Sequence, residues 1–255
     1  MMSIFAADML KDRHVLVTGA SSGLGRATAQ ALAIVGARLT LLGRDHERLE
    51  ATQSSLAGDG HMVRVAPLSD IESAAEIVKS AATDGGPIDG IFHSAGTELV
   101  RPMRMFKSEH AAELFGPAIY GSLGIARAAA SRGIMNDGAS IVFMSSVSGM
   151  RGTAGMVGYS AAKAAVDGMT RSLACELSSR RIRVNSIAAG AIVTEMHGRL
   201  SKSLGEAAIV DYEHRHLLGF GQPSDISAAA LYLMSDASAW VTGTTMVIDG
   251  GYSAQ

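Results

Sequence analysis

A tyrosine and a lysine four residues apart, with a serine upstream, are the residues of this chain best suited to acid–base chemistry. Tyr159 and Lys163 lie in a segment whose apolar periodicity predicts a helix, so their side chains leave the same face one turn apart. A free tyrosine has a pKa of about 10, but a nearby ammonium group favours the phenolate and lowers that pKa. We therefore expect Tyr159 to exchange a proton with a substrate, Lys163 to lower the tyrosine pKa, and Ser146 to hold the substrate oxygen by a hydrogen bond.

The same residues also have a purely structural interpretation. A tyrosine and a lysine at helical spacing often form the edge of an amphipathic helix, with the lysine stem lying along apolar surface. Ser146 stands in the run Ser145-Ser146-Val147-Ser148, which is typical of a turn that ends a strand. The catalytic interpretation therefore depends on a second site that brings a reaction partner to these side chains.

A glycine-rich segment, Thr18-Gly19-Ala20-Ser21-Ser22-Gly23-Leu24-Gly25, lies between a predicted strand and a predicted helix. Such a turn directs several backbone N–H groups and the positive end of the helix dipole to one point, and its glycines let a pyrophosphate approach the backbone. We therefore predict that this segment, the cradle (residues 19–25), binds a nucleotide, although a glycine-rich turn that only tightens a loop is the alternative. The residues expected to form the cradle are Gly19, Ser21, Ser22, Gly23, Leu24 and Gly25.

Seven short runs of β-branched or apolar residues, each bounded by turn residues, predict strands. They are His14–Val17, Leu39–Leu42, Met62–Ala66, Ile88–Phe92, Ile141–Met144, Val184–Ile187 and Met246–Ile248. Amphipathic helix patterns fill most of the intervals, and continuous apolar strands between helices belong to a parallel sheet with both faces covered. The predicted fold is therefore α/β: a single-domain, Rossmann-type, doubly wound sheet of seven parallel strands with helices on both faces.

No linker, charge block or repeat divides the chain, so residues 1–255 are expected to form one domain. The segment Glu195–Gln222 follows the sixth strand and is longer than an ordinary connection. Because ligands bind at the carboxyl ends of parallel strands, where this segment begins, we expect it to be a mobile lid over the substrate. We expect a solvated loop at His214 and His216, and no metal site is predicted.

Composition and charge narrow the class of protein. The 255 residues are 47% hydrophobic and 18% charged, which excludes a disordered or fibrous chain. With 22 basic and 24 acidic residues the formal charge is −2, so neither nucleic acid nor an anionic membrane is expected as a partner. Cys175 is the single cysteine, and neither a secretory leader nor an apolar run of spanning length is found. These features predict a reducing, cytoplasmic location.

Three patterns together resemble the short-chain dehydrogenase/reductase family across essentially the whole chain. They are the glycine spacing of the cradle, the Tyr159-x-x-x-Lys163 pair with Ser146 thirteen residues upstream, and the carboxy-terminal Val241-Thr242-Gly243 and Asp249-Gly250-Gly251. Within the family the pattern is most similar to the 3-oxoacyl-(acyl-carrier-protein) reductases. The resemblance implies a nicotinamide cofactor, reversible reduction of a carbonyl to an alcohol, and a homotetramer or homodimer.

The resemblance also assigns roles to individual residues. It implies that Tyr159 gives its proton to the carbonyl oxygen as hydride arrives from the nicotinamide, and that Lys163 also holds the nicotinamide ribose. The position of the family's NAD-selecting aspartate is Gly43, and the next residue, Arg44, can pair with a 2′-phosphate, so NADP is expected and NAD is the alternative. Thr194 is expected to bind the nicotinamide carboxamide, but it can instead cap a helix. The other residues expected to bind the nucleotide are Leu68, Ala95, Gly96 and Ile192.

The chain departs from the family pattern at several positions. An asparagine usual in the fourth large helix, predicted here over about Lys107–Arg132, corresponds to Ala118. We hypothesise that Pro117 kinks this helix and frees a carbonyl, whose bound water replaces the asparagine. His93 replaces an asparagine at a strand end, where a packed, hydrogen-bonded histidine is expected rather than a catalytic one. Pro67 replaces an aspartate that normally touches the adenine.

Two hypotheses of different classes follow. The first is an NADPH-dependent carbonyl reductase acting on a small-molecule carbonyl or alcohol, with Tyr159 as general acid/base, Lys163 lowering its pKa and Ser146 polarising the substrate. The second is a nucleotide-binding protein without turnover, kept for assembly or redox sensing. The missing asparagine favours the second hypothesis, and the intact serine, tyrosine and lysine favour the first.

Overall fold

The fold is a single parallel sheet that separates two layers of helices. The computed structural model of the chain describes residues 5–195, 198 and 206–255. The strands are β1 His14–Thr18, β2 Arg38–Gly43, β3 Met62–Val65, β4 Ile88–His93, β5 Met135–Ser146, β6 Arg183–Ala189 and β7 Thr245–Ile248. The helices are α1 Gly23–Ile34, α2 His46–Ser54, α3 Ile71–Gly85, α4 Ser108–Phe115, α5 Gly121–Ala130, α6 Val157–Leu177, α7 Glu206–His214 and α8 Pro223–Met234.

The strands lie in the order β3-β2-β1-β4-β5-β6-β7, and every neighbouring pair is parallel. This confirms the predicted α/β fold and its seven strands. The chain winds outward from β1 to β3 and then crosses back to β4, so the strand order reverses between β1 and β4. A crevice opens at such a switch point, at the carboxyl ends of the strands.

Each face of the sheet carries its own apolar core, because successive side chains of a strand point to opposite faces. Val142 and Met144 of β5 join a core with residues of α1, α2 and α8. Ile141 and Phe143 of the same strand join a second core with residues of α3, α5 and α6. Burial on both faces explains why the strands read as continuous apolar runs in the sequence.

The helix predicted over about Lys107–Arg132 is interrupted. Helix α4 and helix α5 are joined by a π-helical turn, Gly116–Tyr120, in which the Gly121 amide donates to the Gly116 carbonyl. Pro117 lies in this turn and has no N–H to donate, so the regular hydrogen-bond pattern cannot pass through it. The expected kink at Pro117 thus takes the form of a π turn.

The predicted lid, Glu195–Gln222, is described only in part, because residues 196, 197 and 199–205 lie outside the described residues. Its later half contains α7 and contradicts the expectation of a solvated loop at His216. That side chain is 3% exposed, accepts a hydrogen bond from the Ala191 amide at 3.1 Å, and stacks on Tyr252. His214 is exposed, as predicted, but it is the last residue of α7 and not part of a loop.

Candidate active site

The cradle is the turn between β1 and α1, and its glycines lie where a side chain would collide with backbone. Gly19 has φ +66°, and a Cβ there would lie 2.9 Å from the Ala95 amide nitrogen. A Cβ on Gly25 would lie 2.2 Å from the carbonyl oxygen of Gly19. The turn therefore closes tightly on the first turn of α1 and leaves bare backbone at its mouth, which suits a nucleotide phosphate.

Thr18, the last residue of β1, connects the cradle to the end of β4. Its Oγ1 accepts hydrogen bonds from the amides of Ser94 and Ala95, both at 3.2 Å, and bonds the Nδ1 of His93 at 2.7 Å. These bonds hold the 94–96 segment against the cradle.

His93 occupies a buried structural position, as predicted. Its Nε2 bonds the Pro117 carbonyl oxygen at 2.9 Å, so both ring nitrogens have partners, and the ring is 3% exposed. The Thr18 hydroxyl has two amides as donors, so it donates to Nδ1, and Nε2 carries the proton given to Pro117. Burial lowers the pKa of His93 to about 4, so the ring is neutral at physiological pH and fixes the π turn to β4. The water proposed to replace the missing asparagine stays a prediction.

The serine, tyrosine and lysine meet at the carboxyl end of β5. Ser146 ends that strand and hydrogen-bonds the phenol of Tyr159 on α6. Lys163, one turn further along α6, is 7% exposed, and its Nζ lies 5.6 Å from the centre of the Tyr159 ring. Its Nζ donates to the Met144 carbonyl oxygen at 2.8 Å.

The electrostatics of this group differ from the expectation. Burial, the largest cause, and the negative charge of Glu98 raise the pKa of Tyr159, whereas its hydrogen bond to Ser146 lowers it. The predicted lowering by Lys163 is therefore wrong for this structure. Burial also lowers the pKa of Lys163 to about 8, while the carboxylates of Asp167 and Glu98 act in the opposite direction. Helical spacing predicted the proximity of the two side chains but not the loss of water around them.

One cleft of about 840 Å³ joins the cradle to the serine, tyrosine and lysine. This volume lies within the range typical of small-molecule sites. Of the residues predicted for the site, all except Gly25 line the cleft: Gly19, Ser21, Ser22, Gly23, Leu24, Arg44, Leu68, Ala95, Gly96, Ser146, Tyr159, Lys163, Ile192 and Thr194. Gly25 lies behind the turn, where it packs on Gly19.

Sequence reasoning missed several charged or polar residues of the cleft. Glu98 and Tyr212 line it near Tyr159, and Arg48 and Glu195 line it near the cradle. Glu98 directly follows the Ala95-Gly96-Thr97 turn, so its position was the available signal. Tyr212 comes from the predicted lid, at a distance along the chain that no motif spans. Asp167 was also missed: it does not line the cleft, but its charge acts on the pKa of Lys163. Its place one helical turn after Lys163 was the available signal.

Two possibilities raised by the sequence concern metals and membranes. In the part of the chain that the structure describes, no three His, Cys, Asp or Glu side chains lie close enough together to hold a metal ion. Across the same residues, no helix combines the length and the apolar character needed to cross a bilayer.

Comparison with known proteins places the chain among reductases. A family model described as enoyl-(acyl carrier protein) reductase matches residues 19–253. Levodione reductase of Leifsonia aquatica is 37% identical over 257 aligned positions, which cover 95% of both chains. The 3-oxoacyl-(acyl-carrier-protein) reductase of Thermotoga maritima is 33% identical over 248 positions, covering 95% of this chain and 98% of the relative.

Solved structures share the whole fold. The crystal structure of a short-chain dehydrogenase/reductase of Brucella melitensis, described as a glucose/ribitol dehydrogenase, superimposes with a TM-score of 0.89 at 28% identity. The superposition covers 97% of this chain and 99% of that one.

Proposed function

The chain belongs to the short-chain dehydrogenase/reductase family and is an NAD(P)-dependent oxidoreductase, and from this premise we propose that it is an NADPH-dependent carbonyl reductase. It reduces a ketone or a 3-oxoacyl thioester to an alcohol, and the reaction is reversible. The names of the two reductases compared above support both substrate classes.

The observation that carries the proposal is that the cradle shares one cleft with Ser146, Tyr159 and Lys163. The cradle residues and the 94–96 segment would hold the nucleotide phosphates and the adenosine. When bound, a nicotinamide nucleotide supplies or accepts a hydride. The chain itself then has to orient the carbonyl and move one proton.

Tyr159 is the proton donor of the proposed reduction. Its raised pKa keeps the phenol protonated at neutral pH, which is the form that can give a proton to a carbonyl oxygen as negative charge develops there. Ser146, hydrogen-bonded to the same phenol, can donate to that oxygen and hold it in place. Lys163, with a pKa of about 8, can return a proton to Tyr159 and hold the nicotinamide ribose.

The preference for NADPH rests on the end of β2. Gly43 has no carboxylate to accept the ribose hydroxyls, and Arg44 is exposed and lines the cleft. An exposed guanidinium at this position suits a 2′-phosphate, which it can bind in a bidentate manner.

Three further features belong to this proposal. Residues 195–222 act as the lid of a single domain, which the presence of Glu195 and Tyr212 in the cleft lining supports.

The protein works in the cytoplasm, as its lone cysteine favours. It assembles as a homotetramer or homodimer, and the fully exposed Trp240 supports contact between copies. A mass measurement in solution tests the assembly.

The test of the function uses NADPH with a panel of ketones and β-keto thioesters. We expect loss of the nicotinamide absorbance with at least one substrate, and no turnover by Tyr159→Phe, which keeps the ring but removes the proton. Tyr232→Phe on α8, outside the cleft lining, is the matched control and should keep full activity. NADPH binding without turnover across the panel would support the nucleotide-binding protein without catalysis.

A further inference from the structure

The carboxylate of Glu195 lies on the cradle, where it contacts three groups that attract anions. Its Oε2 accepts a hydrogen bond from the Gly23 amide at 3.1 Å. Its Oε1 lies 3.9 Å from Nη1 of Arg26 and 3.7 Å from Nη2 of Arg48. The amide and the two guanidinium groups come from the N-terminus of α1, from its first turn and from α2, so a single carboxylate connects both helices.

Arg26 is fixed in this arrangement by further bonds. Its Nη2 donates to the Ser21 carbonyl oxygen at 2.5 Å, and its Nε donates to Thr52 Oγ1 at 3.3 Å. The remaining nitrogen, Nη1, is the one directed at Glu195. The guanidinium is therefore oriented before any ligand arrives, with one edge presented beside the Gly23 amide.

A carboxylate in this position resembles part of a phosphate group. Both carry negatively charged oxygens that accept hydrogen bonds from helix N-terminal amides and from guanidinium groups. The Gly23 amide has one proton, so it cannot serve the Glu195 carboxylate and a nucleotide phosphate oxygen at once. A nucleotide phosphate that takes the Gly23 amide therefore has to displace Glu195.

We propose that Glu195 is an internal competitor for the phosphate site and thereby sets the affinity of the chain for its nucleotide. Departure of Glu195 frees the Gly23 amide, and it also frees Nη1 of Arg26 and the Arg48 guanidinium to pair with phosphate oxygens. Glu195 is the first residue of the segment proposed as the lid, so nucleotide binding changes the contacts at the start of that lid. The inference rests on the proposed function, because it requires that the cradle bind a nucleotide.

The size of the effect follows from the geometry. The side chain of Glu195 is half exposed, and its two arginine contacts are long, so each interaction is weak on its own. Displacement of the carboxylate should therefore reduce nucleotide affinity by about three- to tenfold rather than block binding.

The test is Glu195→Gln, which keeps the length of the side chain and removes its charge. We expect the Kd for NADPH, measured by nucleotide fluorescence, to fall about three- to tenfold. Glu113→Gln is the matched control, because Glu113 also lines the cleft but lies on α4. The control separates a local contact from a general change of charge, and its Kd should change by less than about twofold.

Stopped-flow binding adds a readout specific to competition. If only molecules with a displaced carboxylate accept the nucleotide, the apparent association rate scales with their fraction, whereas dissociation does not. We therefore expect Glu195→Gln to raise the association rate and to leave the dissociation rate unchanged. A weaker or unchanged affinity for NADPH in this variant, or an equal gain in Glu113→Gln, would overturn the inference alone. Failure of the unmodified chain to bind either NADPH or NADH would overturn the proposed function as well.

Discussion

The chemistry of Tyr159 and Lys163 depends on burial more than on their spacing. The sequence places the two side chains one helical turn apart, and the structure brings them together at the end of β5. Spacing alone predicts an ammonium that lowers a tyrosine pKa in water. In the protein, however, both groups lose water and each is pushed toward its neutral form. A neutral phenol can donate a proton, which is the role that we propose for Tyr159 in reduction.

The cost of burying Lys163 leads to a prediction about stability. Its pKa is about 8 in the folded chain and about 10.4 in an unfolded one, so between these values the unfolded state holds more protons and the free energy of unfolding rises with pH. Below pH 8 the full penalty applies, on the order of 3 kcal/mol. Lys163→Met removes this penalty but also loses the bond to the Met144 carbonyl, which offsets part of the gain. The free energy of unfolding at pH 7 should therefore rise by about 1–3 kcal/mol.

Urea denaturation at pH 7, 9 and 10.5 checks this prediction. The advantage of Lys163→Met should shrink above pH 8 and disappear near pH 10.5, and its reductase activity should be lost at every pH. Lys79→Met is the control, because Lys79 lies at the surface of α3 in an ion pair with Glu76 and should give no gain. A Lys163→Met variant that is less stable than the parent at pH 7 would contradict the buried-charge explanation.

At the scale of elements, the sequence predicts the strands better than it predicts where a helix is interrupted or where a strand begins. The strands inside the sheet were predictable because residues buried on both faces of a parallel sheet form apolar runs. The edge strands β3 and β7 are only partly buried, and their short apolar or β-branched runs were the signal. The π turn was predicted only as a kink at Pro117. Its hydrogen bond to His93 joins residues that are distant in sequence, so no local pattern indicates it. The early start of β5 was missed because residues 136–138, Asn-Asp-Gly, which follow its buried first residue Met135, are exposed and lack apolar side chains. His216 was misjudged for a similar reason: its burial comes from Tyr252 and Ala191, which no local pattern connects to it.

A side chain should be harmful at Gly25, where α1 contacts the cradle, and favourable at Gly168, which has open space around it. In Gly25→Ala the new Cβ meets the backbone of Gly19 at 2.2 Å, and the cradle has to open to relieve the clash. This should destabilise the chain by about 1–3 kcal/mol and weaken nucleotide binding at least tenfold. Gly168→Ala, on α6, has no atom within 4 Å of its Cβ and should stabilise by about 0.5–1 kcal/mol through helix propensity.

Urea denaturation and nucleotide fluorescence on both variants test this explanation. Equal losses of nucleotide affinity in the two variants would show that the contact between Gly25 and Gly19 is not what shapes the cradle.

At the scale of the whole molecule, the site lies where the two halves of the sheet diverge. The cradle follows β1, the 94–96 segment follows β4, and the serine, tyrosine and lysine follow β5, so strand order alone brings these segments to one edge. This is why motifs far apart in sequence could be assigned to one site without a structure. Glu195 and Tyr212 could not be assigned in this way, because both lie between β6 and α8, in a connection whose path strand order does not set.

Because the cradle and the proposed catalytic side chains belong to one folded unit, nucleotide binding should stabilise the entire chain. A ligand at 100 times its Kd adds about 2.7 kcal/mol to the free energy of unfolding, which for a chain of 255 residues raises Tm by roughly 5–10 °C. We expect NADP⁺ to give this shift, and NAD⁺ at the same concentration to give a shift smaller by about 2–4 °C, because NAD⁺ lacks the 2′-phosphate that we propose pairs with Arg44. In Arg44→Ala the NADP⁺ shift should fall to the NAD⁺ value while the NAD⁺ shift stays unchanged. Arg127→Ala, which removes an exposed ion pair with Glu72 away from the cleft, should leave both shifts as they are. A larger shift with NAD⁺ in the unmodified chain, or an equal fall of both shifts in Arg44→Ala, would show that Arg44 does not select the phosphate.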